Sequence, residues 1–217
     1  MTVSGHFITF EGGEGSGKST QARRLAERLR ETGATVVVTR EPGGTETAER
    51  IRDFLLSGRG EGFGAEGEAI LFAAARADHV DRVIRPALER GEWVLSDRFF
   101  DSTRAYQGGD GVDEALLSAL EHLAVGSVRP HLTLLLDLPV EAGLARAAKR
   151  RGEGDVPDRF ERETVERHDR RRQAFLAIAS REPERLIIVD ASRGEDEVAA
   201  HVWRAVELRL LTSQEAR

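Results

Sequence analysis

A glycine-rich run between a strand pattern and a helix pattern constrains this chain more than any other feature. Residues 12–19 read GGEGSGKS and fit the motif G-x-x-x-x-G-K-[ST]. The apolar residues 6–10 before it predict a strand, and residues 19–32 after it predict an amphipathic helix. In such a unit the glycines let backbone N–H groups turn toward phosphate oxygens, and the helix N-terminus adds partial positive charge. The motif in this context predicts a nucleoside-triphosphate site rather than a glycine turn that merely caps a helix.

Two residues of this phosphate-binding loop (residues 12–19) have specific expected roles. Lys18 is predicted to reach the β and γ phosphates, and Ser19 offers a hydroxyl to Mg²⁺. Only two of the 32 basic residues are lysines, Lys18 and Lys149. Because nearly all the other basic residues are arginine, the lysine in the loop indicates that a compact ammonium group is needed there.

The composition excludes several classes of protein. The 217 residues are 40% apolar and 32% charged, which suits one α/β domain and not a disordered chain. The net charge of −6 predicts no nucleic-acid partner and no attraction to an anionic membrane. We find no apolar run near the ~18 residues of a spanning helix, and residues 1–13 lack a secretory pattern. The absence of cysteine fits a cytoplasmic protein without disulfides or zinc–thiolate sites.

Short apolar runs alternate with helical patterns along the chain. Strands are predicted at residues 6–10, 35–39, 93–96, 132–137 and 186–189, and helices at 19–32, 46–57, 66–90, 113–124, 140–151, 162–180 and 195–211. This alternation predicts right-handed crossovers and a five-stranded parallel sheet with helices on both faces, a three-layer α/β domain over residues 1–217. More than fifty residues separate the second and third strands, which predicts a helical insertion over the strand ends. The basic, glycine-rich residues 149–158 predict a lid at about 149–160.

The residues at the ends of the predicted strands, together with the composition, exclude several classes of nucleotide-binding protein. The chain contains no Asn, so it cannot supply the N-K-x-D guanine motif of Ras-like GTPases. The third strand ends in Asp97-Arg98 and the fourth in Asp137-Leu138-Pro139, without the paired acids of motor or transporter ATPases. Small-molecule kinases remain, because they need an acceptor pocket and water exclusion more than a hydrolytic base. In that class Asp97 is a candidate Mg²⁺ ligand and Arg98 a phosphate contact; the alternative is a simple ion pair at a strand end.

Two further patterns admit both a functional and an ordinary interpretation. Pro42 and the glycines that follow Arg40 predict a rigid turn that presents Arg40 to a phosphate, or else a charged surface turn. Phe72 and Arg76 lie four apart on one predicted helix, so both can face one ligand as a stacking ring and a bidentate donor. A core phenylalanine beside a surface arginine is the commoner arrangement.

Taken together, these segments resemble the bacterial thymidylate kinases. The resemblance is carried by TREPGG at 39–44, LFAAAR at 71–76, DRFFDSTRAYQGG at 97–109, the phosphate-binding loop and the strand LLLDLP. It implies the P-loop NTPase fold with a helical acceptor-binding insertion and a short lid. It also implies transfer of the γ-phosphoryl group from ATP to the 5′-phosphate of dTMP, giving dTDP, with Mg²⁺ held by Ser19 and Asp97. One departure is Phe99, where a tyrosine often follows the arginine.

The resemblance assigns roles to residues of this chain. Glu14 would approach the dTMP 3′-hydroxyl, Arg40 and Arg98 would bind the acceptor phosphate, Phe72 would stack on thymine and Arg76 would bind its O4. Tyr106 would lie against the sugar. The implied ATP-binding residues are Gly12, Gly13, Glu14, Gly15, Ser16, Gly17, Lys18, Ser19 and Thr20. The implied substrate-binding residues are Glu14, Arg40, Pro42, Phe72, Arg76, Arg98, Ser102, Thr103, Tyr106 and Gln107.

The catalytic arginine is expected to come from the lid. Glu14-Gly15 stand where some family members carry an arginine in the loop, so Arg150 and Arg151 are the candidates beside Lys18 and Arg98, ahead of Arg159. The arginine-rich residues 167–172 predict a solvated helix face. A homodimer through Leu71, residues 73–75 and residues 116–123 is implied. The alternatives are a kinase of another nucleoside monophosphate and a non-catalytic nucleotide-binding module.

Overall fold

Five parallel strands form the central sheet of the protein. The structure, a computed structural model, describes residues 5–151 and 159–212, without the side chain of Arg151. The strands are β1 (Phe7–Glu11), β2 (Val36–Arg40), β3 (Trp93–Asp97), β4 (Leu132–Asp137) and β5 (Leu186–Asp190), in the order β2-β3-β1-β4-β5. All four pairings are parallel, which confirms the predicted sheet.

Helices connect and cover the strands. They are α1 (Lys18–Glu31), α2 (Glu46–Leu56), α3 (Gly64–His79), α4 (Arg85–Glu89), α5 (Phe100–Tyr106), α6 (Glu114–Val125), α7 (Val140–Arg151), α8 (Val165–Arg181) and α9 (Glu195–Val206). A π-helical turn, Val80–Ile84, joins α3 to α4, and another, Glu207–Leu211, follows α9. The short helix α5 has no counterpart among the predicted helices. Within the described ranges, no helix is long and apolar enough to cross a membrane.

Two hydrophobic clusters lie on opposite faces of the sheet. Successive strand side chains point to opposite faces, so Ile8 and Phe10 enter one cluster and Phe7 the other. The first cluster includes the apolar face of α1, namely Ala22, Leu25, Ala26 and Leu29, together with side chains of α9. The second packs against α6 and the α3–α4 segment. The three predicted layers are therefore present.

The strand order brings two loops together at the carboxyl edge of the sheet. β1 lies between β3 and β4, and Phe10 pairs with Asp97 in register. The loop after β1 and the turn after β3 therefore start side by side, at the position where open parallel sheets bind ligands. The residues between β2 and β3 form α2, α3 and α4, so the long insertion predicted there is helical.

Candidate active site

The loop between β1 and α1 curls around the side chain of Lys18. Gly12, Gly15 and Gly17 have φ angles of 135°, 67° and 92°, values that other residues rarely adopt. A Cβ on Gly12 would lie 2.5 Å from the backbone oxygen of Leu136, so the close packing of the loop against β4 also requires glycine there. The Lys18 ammonium donates to the carbonyls of Gly12 and Gly13 at 3.1 and 2.8 Å. Burial, together with the charge of Arg98, lowers the pKa of Lys18 to about 8.

Ser19 and Asp97 meet at the first turn of α1. The Ser19 hydroxyl donates to the Asp97 carboxylate at the end of β3. A hydroxyl and a carboxylate oxygen are hard ligands that suit Mg²⁺, and the helix N-terminus beside them suits the phosphates that accompany the metal. Among the described residues no group of three or more His, Cys, Asp or Glu side chains could hold a metal. These two residues therefore fit a metal that takes its other ligands from phosphate and water.

Arg98 links the phosphate-binding loop to the turn after β3. It has a φ of 74°, the one positive value found for a non-glycine residue in the described chain. Its guanidinium donates to the Gly12 carbonyl at 3.2 Å, to the Ser102 hydroxyl at 3.0 Å and to the Glu14 carboxylate at 2.7 Å. A fixed, planar cation next to the loop is the group best suited to bind phosphate oxygens.

Glu14 accepts two short hydrogen bonds from this neighbourhood. Besides Arg98, the Tyr106 hydroxyl donates to Glu14 at 3.0 Å. Burial opposes ionisation of the carboxyl group, but Arg98, Lys18 and the Tyr106 hydroxyl outweigh it and lower the pKa of Glu14 to about 2. Glu14 is therefore an ionised hydrogen-bond acceptor throughout the physiological pH range.

A cleft of about 610 Å³ opens beside this cluster, between the loop, α3 and α5. We call it the acceptor cleft. Nine of the ten predicted substrate-binding residues line it, namely Glu14, Pro42, Phe72, Arg76, Arg98, Ser102, Thr103, Tyr106 and Gln107. Glu41, Arg52 and Phe160 also line it, and they were not predicted. A mixture of apolar rings and convergent polar groups is typical of a small-molecule site.

Arg76 is buried at the floor of the acceptor cleft, with 4% of its surface exposed. Its Nε donates to Glu41 at 2.7 Å, and its Nη2 donates to the Phe99 carbonyl at 3.2 Å and to Thr103 at 3.1 Å. The surface position that was the ordinary alternative for Arg76 is therefore wrong. Because the guanidinium is pinned on this side, it can present only its remaining edge to a ligand.

A buried histidine completes this arrangement. His79 Nδ1 lies 3.0 Å from the second Glu41 oxygen, and His79 Nε2 lies 2.7 Å from the Thr39 hydroxyl. Neither Glu41 nor His79 was among the site residues predicted from the sequence. The helical spacing of Arg76 and His79, three residues apart, would have placed them on one face, but nothing local points to Glu41 as their shared partner.

Arg40 lies outside the acceptor cleft. Its side chain is 56% exposed and pairs with Glu49 of α2 at 3.1 Å. Arg40 ends β2, and its position next to Asp97 in the sheet keeps it at the same edge as the other candidates. In this structure Arg40 therefore faces Glu49 and solvent, whereas Glu41 and Pro42 of the same turn line the acceptor cleft.

The predicted lid at 149–160 is described only at its two ends, because residues 152–158 and the side chain of Arg151 lie outside the described residues. Arg150 is 67% exposed, lies 3.6 Å from Glu161 and lines a second cleft with Gly15, Ser16, Gly17 and Thr20 of the loop region. Arg159 instead binds Glu68 and lies 3.4 Å from Glu61. Of these two arginines, only Arg150 is beside the phosphate-binding loop.

The prediction of a solvated face at residues 167–172 holds for Asp169 and Arg170, which are exposed, but it is wrong for Arg171. Arg171 is 3% exposed, forms an ion pair with Glu163 and lies 4.1 Å from the ring centre of Tyr106. Arg167 pairs with Asp110 at 2.8 Å, and Arg172 binds Asp137 with two hydrogen bonds of 2.7 and 2.9 Å. These three arginines of α8 therefore pair with carboxylates outside the helix, and Arg171 does so out of contact with water.

Comparisons with known proteins agree with this geometry. The family model for thymidylate kinase matches residues 10–202. A thymidylate kinase of Rhodopseudomonas palustris is 57% identical over 212 residues, covering 97% of this chain and 92% of the relative. One of Nitrobacter winogradskyi is 56% identical over 213 residues, covering 98% and 92%. A crystal structure of thymidylate kinase from Ehrlichia chaffeensis superimposes with a TM-score of 0.75 at 33% identity, covering 94% of this chain and 99% of that one. The resemblance inferred from the sequence is confirmed, and the chain belongs to the thymidylate kinase family.

Proposed function

We propose that this protein transfers the γ-phosphoryl group of ATP to the 5′-phosphate of dTMP, giving ADP and dTDP. The observation that carries the proposal is the position of Arg98 between the two sites. It touches the phosphate-binding loop at Gly12 and lines the acceptor cleft at the same time. A single cation in this position can contact phosphates of the donor and of the acceptor, which is what direct transfer between them requires.

On the donor side, the loop residues 12–20 would hold the ATP phosphates through backbone N–H groups at the start of α1. Lys18 would exchange its present loop carbonyls for the β and γ phosphates. Ser19 and Asp97 would hold Mg²⁺, which when bound neutralises charge on the phosphate oxygens. Arg98 would stabilise the charge that develops on the transferred group.

On the acceptor side, Phe72 would stack on thymine and the free edge of Arg76 would donate to its O4. Gln107 is 1% exposed, and its Nε2 has no hydrogen-bond partner among the described residues. This buried donor would therefore donate a hydrogen bond to a ligand in the cleft. Thr103 lies beside it, Tyr106 would lie against the sugar, and ionised Glu14 would accept from the 3′-hydroxyl. Ser102 and Pro42 complete the wall of the cleft.

Two arginines require a rearrangement to act as proposed. Arg40 would contact the acceptor phosphate if that phosphate replaced Glu49 as its partner. Arg150 or Arg151 would close over the transferred group, where an added cation is worth about 10³-fold or more in rate. The contact of Arg150 with Glu161 is long, at 3.6 Å, and the Arg150 side chain is 67% exposed, so this pair can be exchanged for a phosphate.

We also propose a homodimer that uses the outer faces of α3 and α6. The chain's own core already buries Ala73, Ala75 and Leu117 from the predicted segments. Ile70 and Leu123 remain 51% and 79% exposed and Ala74 is exposed as well, so apolar side chains of these helices are available to a second copy. The molar mass from analytical ultracentrifugation tests this. A cytoplasmic location and the absence of a nucleic-acid partner stay predictions.

The decisive experiment measures ADP formation from Mg-ATP with dTMP, dUMP, dCMP, dGMP, dAMP or UMP, alongside a reaction without acceptor. We expect a clear preference for dTMP, and loss of turnover in Lys18→Ala with the helical circular dichroism retained. A preference for another nucleotide would replace the proposed substrate. Absence of any acceptor-dependent turnover would leave only nucleotide binding.

A further inference from the structure

Glu11, the last residue of β1, is a buried carboxylate that has no role in the proposed chemistry. It has no exposed surface. One of its oxygens accepts from the backbone N–H of Phe99 at 2.8 Å, and the other accepts from the Ser102 hydroxyl at 2.6 Å. Burial and the nearby Asp101 raise the pKa of Glu11 to about 7. Ionisable groups whose charge is disfavoured by burial are concentrated at functional sites, so we asked what the Glu11 carboxylate does for its neighbours.

Both partners of Glu11 follow Arg98 within four residues, and the backbone of Arg98 is in the left-handed region. This conformation is unfavourable for a residue with a side chain and persists only where neighbours fix it. The Arg98 N–H donates to the Phe10 carbonyl at 2.9 Å, and the Arg98 carbonyl accepts from Ser96 at 2.8 Å. Glu11 holds the following peptide through Phe99, so the peptide groups on both sides of Arg98 are anchored.

Glu11 also determines the orientation of the Ser102 hydroxyl. A hydroxyl has one proton and two lone pairs. Because the Ser102 proton is directed at Glu11, its lone pairs are available to the Arg98 guanidinium, which donates to Ser102 at 3.0 Å. The carboxylate therefore holds Arg98 along two hydrogen-bonded routes, through the backbone of Phe99 and through the side chain of Ser102, and its charge also attracts the guanidinium.

We propose that Glu11 is a positioning residue that holds the Arg98 guanidinium in place for the acceptor phosphate. The inference rests on the proposed function, because it assigns that phosphate to Arg98. Removing the charge of Glu11 should therefore reduce the affinity of the protein for a nucleotide that carries a phosphate. The affinity for the corresponding nucleoside, which lacks the phosphate, should not change.

The test compares Glu11→Gln with the control variant Glu121→Gln. Glu121 is a buried glutamate of α6 that pairs with Arg104, away from the acceptor cleft. Calorimetric titrations with dTMP and with thymidine are made at pH 8, above the pKa of Glu11. We expect Glu11→Gln to bind dTMP about tenfold more weakly, the usual effect of losing a charge-assisted hydrogen bond, and to bind thymidine as the wild type does. Glu121→Gln should bind both ligands as the wild type does.

A double-mutant cycle with Arg98→Ala gives the mechanism of the effect. If Glu11 acts through Arg98, adding Glu11→Gln to Arg98→Ala should cause no further loss of dTMP affinity. A full additional loss, equal weakening of dTMP and thymidine, or unchanged dTMP affinity would overturn the inference. A wild-type protein that binds no dTMP would overturn the proposed function as well. Should Glu11→Gln not fold, Glu11→Asp keeps the charge but draws the carboxylate back from Phe99 and Ser102, and it must show the same phosphate-selective loss.

Discussion

Replacing Glu41 by alanine tests whether Arg76 depends on a buried counter-ion. The two side chains are 3% and 4% exposed, and the Nε–Oε2 distance is 2.7 Å. In Glu41→Ala the guanidinium keeps its neutral partners Phe99 and Thr103 but loses its buried carboxylate. His79 loses the same carboxylate, so the variant leaves a cation and a polar ring without their partner.

The expected magnitude follows from burial. Removing one member of a buried ion pair costs about 3–5 kcal/mol, because the remaining charge stays out of water. For a chain of this size that corresponds to a melting temperature lower by about 6–20 °C. The matched control is Glu46→Ala, whose pair with Arg50 is 83% and 77% exposed. An exposed pair contributes less than about 1 kcal/mol, so this control should remain close to the wild type.

Urea unfolding followed by circular dichroism measures the free energy of unfolding of both variants. A third variant, Glu41→Ala with Arg76→Met, should recover part of the lost stability, because no charge is then left without a partner. The reasoning would be refuted if Glu41→Ala lost no more than Glu46→Ala. It would also fail if the double variant were less stable than Glu41→Ala alone.

Three further outcomes are expected. Arg76→Ala should weaken dTMP binding at least about tenfold and leave ATP binding intact, measured by calorimetry; equal loss of both would exclude a base-reading role. The lowered pKa of Glu14 means that the unfolded chain binds more protons between about pH 2 and 4.5, so the free energy of unfolding rises with pH there. That rise should be smaller in Glu14→Gln, and an unchanged slope would contradict it. Arg171→Met breaks a buried ion pair and should lower the free energy of unfolding by about 3–5 kcal/mol. Arg170→Met, at an exposed position of the same helix, should change this free energy little. Similar losses in the two variants would contradict the buried pairing.

Short-range patterns in the sequence determined the architecture of this protein. The period of apolar residues depends only on neighbours along the chain, and it predicted all five strands and the layers around them. The phosphate-binding loop was equally accessible, because its glycines, Lys18 and Ser19 act within eight consecutive residues. The motifs that carried the family resemblance also identified most of the residues that line the acceptor cleft.

Only the tertiary structure decided which partner each charged side chain has. Arg171 looked solvated because its neighbours in sequence are charged, yet it is buried against Tyr106, and Arg40 pairs with Glu49 instead of facing the cleft. Arg76 and Glu41 lie 35 positions apart, and Glu11 and Phe99 lie 88 apart. Ion pairs and hydrogen bonds carry no local periodicity, since they form between whichever groups the sheet order and the helix packing bring together. The sequence alone therefore determined where the site lies, and folding determined how its charges are held.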